Sequence, residues 1–346
     1  MKKLIILFLL IFSMAPNVSA MDYTAPTAPD SVQDLMPVET ESFGQGLLKI
    51  IKNAMERLQP ELWAACGVCL SVVAIAMLLS TLRQMPSAST QVIELAGVVA
   101  VSLLLITNAN TMIQLGAQTV QQLSEYGKLL LPVMTGALAA QGGVTTSTAL
   151  YTATAAFNAV LGSAISKLLV PLVYLFLMLS IAFAATKDTL VEKLRDFMKW
   201  LMSWGLKTVL YIFTGYMGIT GVVSGSADAA ALKAAKLTIS GVVPMVGGIL
   251  SDASEAVLVS AGVMKNAVGI YGLLAVTAIW IHPFLQLGIQ YLLLKLTAAV
   301  CAVFDIKSLS GLIEQFSSAM GLLLGMTGSV CFLLLISTVC FMRGVG

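Results

Sequence analysis

Continuous apolar runs recur from residue 62 to the end of the chain, separated by short polar stretches. A bilayer core takes about 20 consecutive apolar residues per helix, and these runs are unbroken rather than alternating, so they predict helices and not barrel strands. Residues 62–82 and 92–106 read as two plain spans joined by a polar link at Arg83 and Gln84. Glu94 lies near the end of the second, where a carboxylate can reach the headgroups. The segment QLGAQTVQQLSEYGK at 114–128 is a polar, helix-like connection to the next apolar segment. The expected class is all-α: a polytopic helical membrane protein with about six to eight spans.

The chain begins differently. Lys2 and Lys3, an apolar stretch from Leu4, and the small residues Val18-Ser19-Ala20 have the layout of a secretory signal at residues 1–20. Residues 21–60 carry Pro26, Pro29 and Pro37 and read as an extracytoplasmic arm followed by an amphipathic helix. Leu47, Ile51, Met55 and Leu58 would form its apolar stripe, and Pro60 its end.

Beyond the two spans, which with their connection occupy residues 61–127, a sparse pattern is written twice. LPVMTGAL at 131–138 is echoed by VPMVGGIL at 243–250. Asn158-Ala159-Val160 and Pro171 follow the first, and Asn266-Ala267-Val268 and Pro283 the second. The spacing predicts two membrane repeats, 128–231 and 232–346, each opening on a short Pro-broken segment, a polar small-residue bridge and a further helix. Pro132, Pro171, Pro244 and Pro283 are the expected helix breaks. Discontinuous or re-entrant helices of this kind survive only where protein or a wet cavity receives the freed backbone groups.

Between the spans of the first repeat, Leu190, Leu194, Phe197, Leu201 and Trp204 make a heptad-spaced stripe among five basic and three acidic residues over 187–207. That segment is expected to be an interfacial or partner-docking helix, on the cytoplasmic side because of its basic excess.

Composition agrees with the pattern: 58% of the 346 residues are hydrophobic and 10% charged. The net charge of +2 carries no nucleic-acid signal. Five cysteines make no disulfide framework, and Cys66-x-x-Cys69 lies inside an apolar run, where small buried residues are the simpler reading than a redox or metal pair. Ionisable groups in apolar sequence are costly and therefore functional suspects. They are Asp252 and Glu255 in the second bridge, together with Lys167, Lys265 and Lys295. Snorkelling lysines and helix-capping carboxylates are the plainer account. Asp252, Glu255, Lys265, Asn158 and Asn266 are the candidates for lining a passage or meeting a partner. His282 has no second histidine or sequence-local carboxylate and reads as a lone polar residue. Without a nucleophile–base pair, phosphate loop or metal spacing, neither an enzyme nor a bound cofactor is expected. Gly221-x-x-x-Gly225 and Gly321-x-x-x-Gly325 suit close helix packing.

The run GVVSGSADAAALKAAKLTISGVVPMVGGILSDASEAVLVSAGVMKNAVGIYG at 221–272, with LLPVMTGALAAQGG at 130–143, resembles the stage III sporulation protein AE family. The resemblance extends from about residue 90 through most of the chain and includes the signal-like N-terminus. It implies a multi-pass protein of the mother-cell membrane around the forespore. Its implied partners are the other stage III A sporulation proteins and, through them, stage II protein Q. The implied role is a subunit of a secretion-like transenvelope complex, described as a feeding channel, that endospore development and late forespore gene expression require. Homo-oligomerisation is compatible with that role, and the family carries no established catalytic residues. A stand-alone secondary transporter with an internal duplication is the alternative that broken, repeated helices allow.

Overall fold

The computed structural model describes residues 25–36, 43–85, 89–242 and 247–343, with side chains described for these except at 218, 220–261 and 264. Among the described residues every regular element is helical. A 3-10 turn at Asp30–Val32 precedes α1 (Phe43–Arg83), α2 (Thr90–Ala140) and α3 (Val144–Ala164). A π-helical turn at Ile165–Leu169 leads into α4 (Val170–Thr186), followed by α5 (Thr189–Val242), α6 (Gly247–Val303) and α7 (Lys307–Arg343). Among the described residues, five helical segments are long and apolar enough to cross a membrane: Phe43–Arg83, Thr90–Ala140, Val144–Thr186, Lys265–Val303 and Lys307–Arg343. The protein is thus a helical membrane protein. Helices dominate because a chain in lipid must satisfy its backbone internally.

The expected proline breaks are corrected by this arrangement. Pro132 lies inside the 51-residue α2 and Pro283 inside the 57-residue α6. Pro60 lies inside α1, so the amphipathic helix and the first span are one 41-residue rod. Proline removes one ladder bond and crowds the preceding turn, but a helix held by its neighbours along both halves survives that local cost. Pro171 distorts rather than breaks: the π-helical turn ends at Leu169, two residues before it, where the widened ladder absorbs the ring. Pro244 lies outside the described residues. The interruption in the first unit falls at residues 141–143, within its predicted polar bridge. Gly142 there has φ of 90°, which glycine alone adopts without strain. Its N–H and that of Gly143 return to Ala139 and Leu138 carbonyls and close the end of α2.

Two other sharp turns use residues in the left-handed region, Lys187 between α4 and α5 and Asp305 between α6 and α7, each with φ of 57°. Asp188 Oδ1 then accepts from Leu190 N at 2.8 Å, which caps the start of α5.

Helix association in a membrane rests on packing more than on water exclusion. α7 is buried on most of its surface, with Leu309, Phe316, Leu323, Leu334 and Phe341 all at 1% exposure or less, and it packs against α2, α5 and α6. Gly321 faces the Tyr291 ring and Gly325 faces Leu206, so this small-residue pair serves helix contact as its spacing suggests. Gly221 and Gly225 have no described surroundings. In the first half of α6, Gly262 meets Gln141, Gly269 meets Met134 as well as Met342 of α7, and Gly272 meets Leu130, an antiparallel register against α2.

The arm is docked where it is described. Ala28, Val32 and Leu35 are buried. Tyr126 Oη donates to Pro26 O, Ala28 N donates to Tyr271 Oη, and Arg57 pairs with Asp34 at 2.8 Å. On α1 the buried stripe is Gly46, Ile50, Ala54 and Leu58, one position round from the expected one, leaving Met55 60% exposed. The small residues Gly46 and Ala54 let the rod approach its neighbours, a preference that hydrophobicity alone does not register.

The ends of α1, α4 and α6 meet the starts of α2 and α7 at one end of the bundle. From Arg83, α1 runs about 40 Å to Arg57, where the docked arm meets it. The arm and residues 187–195 therefore lie on opposite sides of the apolar window of α1. Single cysteines replacing Ser31 and Lys193, both exposed, in a background lacking the native cysteines, are expected to label from opposite faces. With an impermeant thiol reagent, right-side-out vesicles should label Ser31→Cys alone and inverted vesicles Lys193→Cys alone. Labelling of both from one face would contradict the arrangement.

Candidate functional site

At the convergent end, Glu94 gathers charges that are far apart in sequence. Arg83 Nη2 lies 3.1 Å from one carboxylate oxygen and Lys187 Nζ 2.8 Å from the other. Ser308 Oγ donates to the second oxygen at 3.2 Å, and Arg83 also donates to the Asp305 carbonyl at 2.9 Å. One carboxylate thus ties α1, α2, α7 and the turn before α5 together, rather than reaching the headgroups alone. Beside it Arg195, 6% exposed, pairs with Asp196 and Glu192 and stacks over Phe183. A cavity of about 460 Å³ opens there, lined in part by Lys187, Arg195 and Lys307.

Past this end the expected stripe on α5 points outward. Leu190, Leu194, Phe197 and Trp204 are all about half or more exposed, and Phe197, Trp200 and Trp204 stack on one another. The buried face carries Arg195, Met202 and Leu206 instead. Periodicity locates an apolar face, but in a membrane protein that face can be turned to lipid as readily as to protein.

A second polar place lies between α1, α2 and α6. A chamber of about 200 Å³ is lined by Glu61, Asn108, Thr111, Gln286 and Gln290 together with apolar side chains. Gln290 is 3% exposed and its Nε2 has no hydrogen-bond partner among the described residues, nor has Glu61 Oε2. A buried amide left unpaired is costly, so the chamber suits water or a polar species that can accept from it. His282 Nε2 stands 3.6 Å from Glu61 Oε2. The histidine is therefore not a lone polar residue. Its carboxylate comes from α1, more than two hundred positions away, and no local spacing could reveal the pair.

The remaining sequence candidates are dispersed. Lys265 is 5% exposed on α6, while its neighbour Asn266 is exposed. Asn158 is 2% exposed on α3, facing α2. Lys295 pairs with Glu314 at 3.4 Å, and Lys167 is exposed within the π-helical turn. Asp252 and Glu255 belong to α6, but their side chains lie outside the described residues. Cys66 and Cys69 are free thiols on α1, half-buried and buried respectively.

The family model for stage III sporulation protein AE matches residues 31–344. The chain belongs to that family. Among characterised members, the stage III sporulation protein AE of Bacillus subtilis (strain 168) is 24% identical over 198 residues. That match covers 57% of this chain and 50% of the relative, so the chain is aligned with about half of the relative's length. No solved structure matches the chain. Family membership applies to the arm from Ser31, both polar places and the seven α-helices of the described residues, since the matched residues contain them.

Proposed function

We propose that this chain is the membrane-embedded subunit of a transenvelope, secretion-like complex between mother cell and forespore, sited in the mother-cell membrane. The other stage III A sporulation proteins are its direct partners, and stage II protein Q is reached through them. The observation that carries this reading is the family match over residues 31–344. The outward-facing aromatic face of α5 and the docked arm supply partner or lipid surfaces on opposite sides of the membrane. The role is conductive or scaffolding rather than catalytic.

The paired units remain part of the proposal. α3–α4 with α5, and α6 with α7, each form a hairpin whose turn is made by a left-handed residue, Lys187 or Asp305. We assign the second bridge, with Asp252 and Glu255, to assembly or passage.

The experiment is purification of the tagged chain from sporulating cells. Stage III A proteins are expected to co-purify in stoichiometric amounts, and recovery of the chain alone at normal abundance would overturn the reading. The double change Asp252→Asn with Glu255→Gln is expected to lower spore yield with membrane abundance unchanged. Normal spores would return those residues to helix capping. A second reading, a secondary transporter, is favoured by one observation: the Glu61–His282 pair beside a chamber with an unpaired amide. Ion or solute flux in proteoliposomes holding this chain alone would support it over the complex.

A further inference from the structure

The α2–α3 crossing is tight and polar. A Cβ on Gly162 would lie 2.8 Å from Ser124 Oγ, and one on Gly127 would lie 3.1 Å from Asn158 Nδ2. Asn158 is held in this crossing with its Nδ2 donating to Ser124 O at 3.2 Å. Its Oδ1 accepts nothing among the described residues, and Ser124 Oγ is likewise unpartnered. Both residues line a cavity of about 370 Å³, with Glu125, Lys128, Ser163 and Lys167 among its walls. That volume falls within the roughly 300–1,000 Å³ of small-molecule sites. Lys128 and Lys167 form no ion pair among the described residues, while Glu125 accepts from Gln121 at 2.9 Å. Two lysines against one carboxylate leave the cavity net positive.

Its depth is set by charge. Residues 168–186 carry none, and Lys187 at the far end belongs to the Glu94 cluster. The helix between the two lysines is about 30 Å long, the thickness of a bilayer's hydrocarbon core. Lys167 and its cavity therefore stand at the membrane boundary opposite Glu94. Beginning beside the cavity, Leu168, Leu175 and Met178 are 56%, 44% and 63% exposed and run down α4 toward that other end.

We propose that this cavity binds a phosphate-bearing headgroup that also carries a hydrogen-bond donor. Lys128 and Lys167 hold the phosphate through charge-assisted bonds, and the exposed Ser163 and Ser166 hydroxyls on the same wall receive the headgroup's hydroxyl or ammonium hydrogen. The bilayer supplies such a group as phosphatidylglycerol or phosphatidylethanolamine, whose acyl chains then lie along the Leu168–Leu175–Met178 stripe. The π-helical turn at Ile165–Leu169 lies against this cavity and contributes Ser166 and Lys167 to its walls. The inference stands on α2, α3, the π-helical turn and α4, with its depth read from the Glu94 cluster, and is independent of the function proposed above.

Lipid retention on the full chain in detergent, read by native mass spectrometry with equal amounts of synthetic lipids, tests it. Phosphatidylglycerol or phosphatidylethanolamine should be retained in preference to phosphatidylcholine, whose choline has no hydrogen to donate. The double change Lys128→Gln with Lys167→Gln should weaken retention roughly tenfold, as loss of charge-assisted bonds does. The control pair Lys193→Gln with Lys207→Gln should leave it unchanged. Phosphatidylcholine held equally well would overturn the assignment to the Ser163 and Ser166 hydroxyls, and equal loss in both lysine pairs would overturn the site itself. Inorganic phosphate raising the melting temperature of the delipidated protein, with no further rise on adding lipid, would make the site one for a free anion and overturn the lipid as occupant. Variants that melt like wild type without lipid keep a loss of retention from being a loss of fold.

Discussion

Replacing Gly127 with valine is expected to lower the stability of the bundle by about 1–3 kcal/mol, the usual cost of forcing extra methyl groups into a packed interior. The Cβ alone would approach Leu334 Cδ2 to 2.7 Å and Asn158 Nδ2 to 3.1 Å, so both side chains would have to give way. Leu334 is fully buried and Asn158 nearly so, which leaves little room to yield. Gly288→Ala on α6 provides the contrast, since nothing lies within 4 Å of the place its Cβ would take. There the added methyl should be neutral, or stabilising by about 0.5–1 kcal/mol through helix propensity. Thermal unfolding in detergent and membrane abundance measure both. Equal melting of the two variants would mean that the α2–α3–α7 crossing is looser than the distances require.

Glu94→Gln is the second large effect, with an expected loss of about 1–3 kcal/mol. Removing the charge leaves Arg83 and Lys187 facing one another's field without their shared carboxylate, at a side chain only 16% exposed. Lys187 is itself 63% exposed, so water and salt compensate part of its loss, and the cost falls mainly on Arg83. Lys187→Gln alone should therefore be much milder than Glu94→Gln. Melting of the two single variants, with and without added salt, distinguishes a cluster anchored on Arg83 from one in which all three charges count equally. A Glu94→Gln protein as stable as wild type would show that the turns at this end are held by backbone geometry alone.

Much of the architecture is local information. A run such as residues 62–82 has to become a helix in a bilayer because every backbone group must find a partner within the segment, and its length matches the hydrocarbon thickness. The interruption at 141–143 with Gly142 at its centre, and the turns at Lys187 and Asp305, arise for equally local reasons of backbone conformation and capping. The prolines misled for the opposite reason. At Pro60, Pro132 and Pro283 the local penalty of a few kcal/mol is set against contacts made along the whole rod, and these are invisible from the proline's neighbours.

Tertiary structure alone decided which suspects meet. Glu94 with Lys187 and Glu61 with His282 join positions far apart in the chain, and one long apolar helix offers several rotations that would each bury a different polar residue. Asn158 and Lys167 were both legible as unusual residues, but that they share a cavity with Lys128 depends on where α3 crosses α2. The outward turn of Phe197, Trp200 and Trp204 has the same cause. In a membrane, lipid and protein are equally apolar neighbours, so the sequence determines that a face is apolar, while only the packing of small against large side chains determines which apolar face is turned inward.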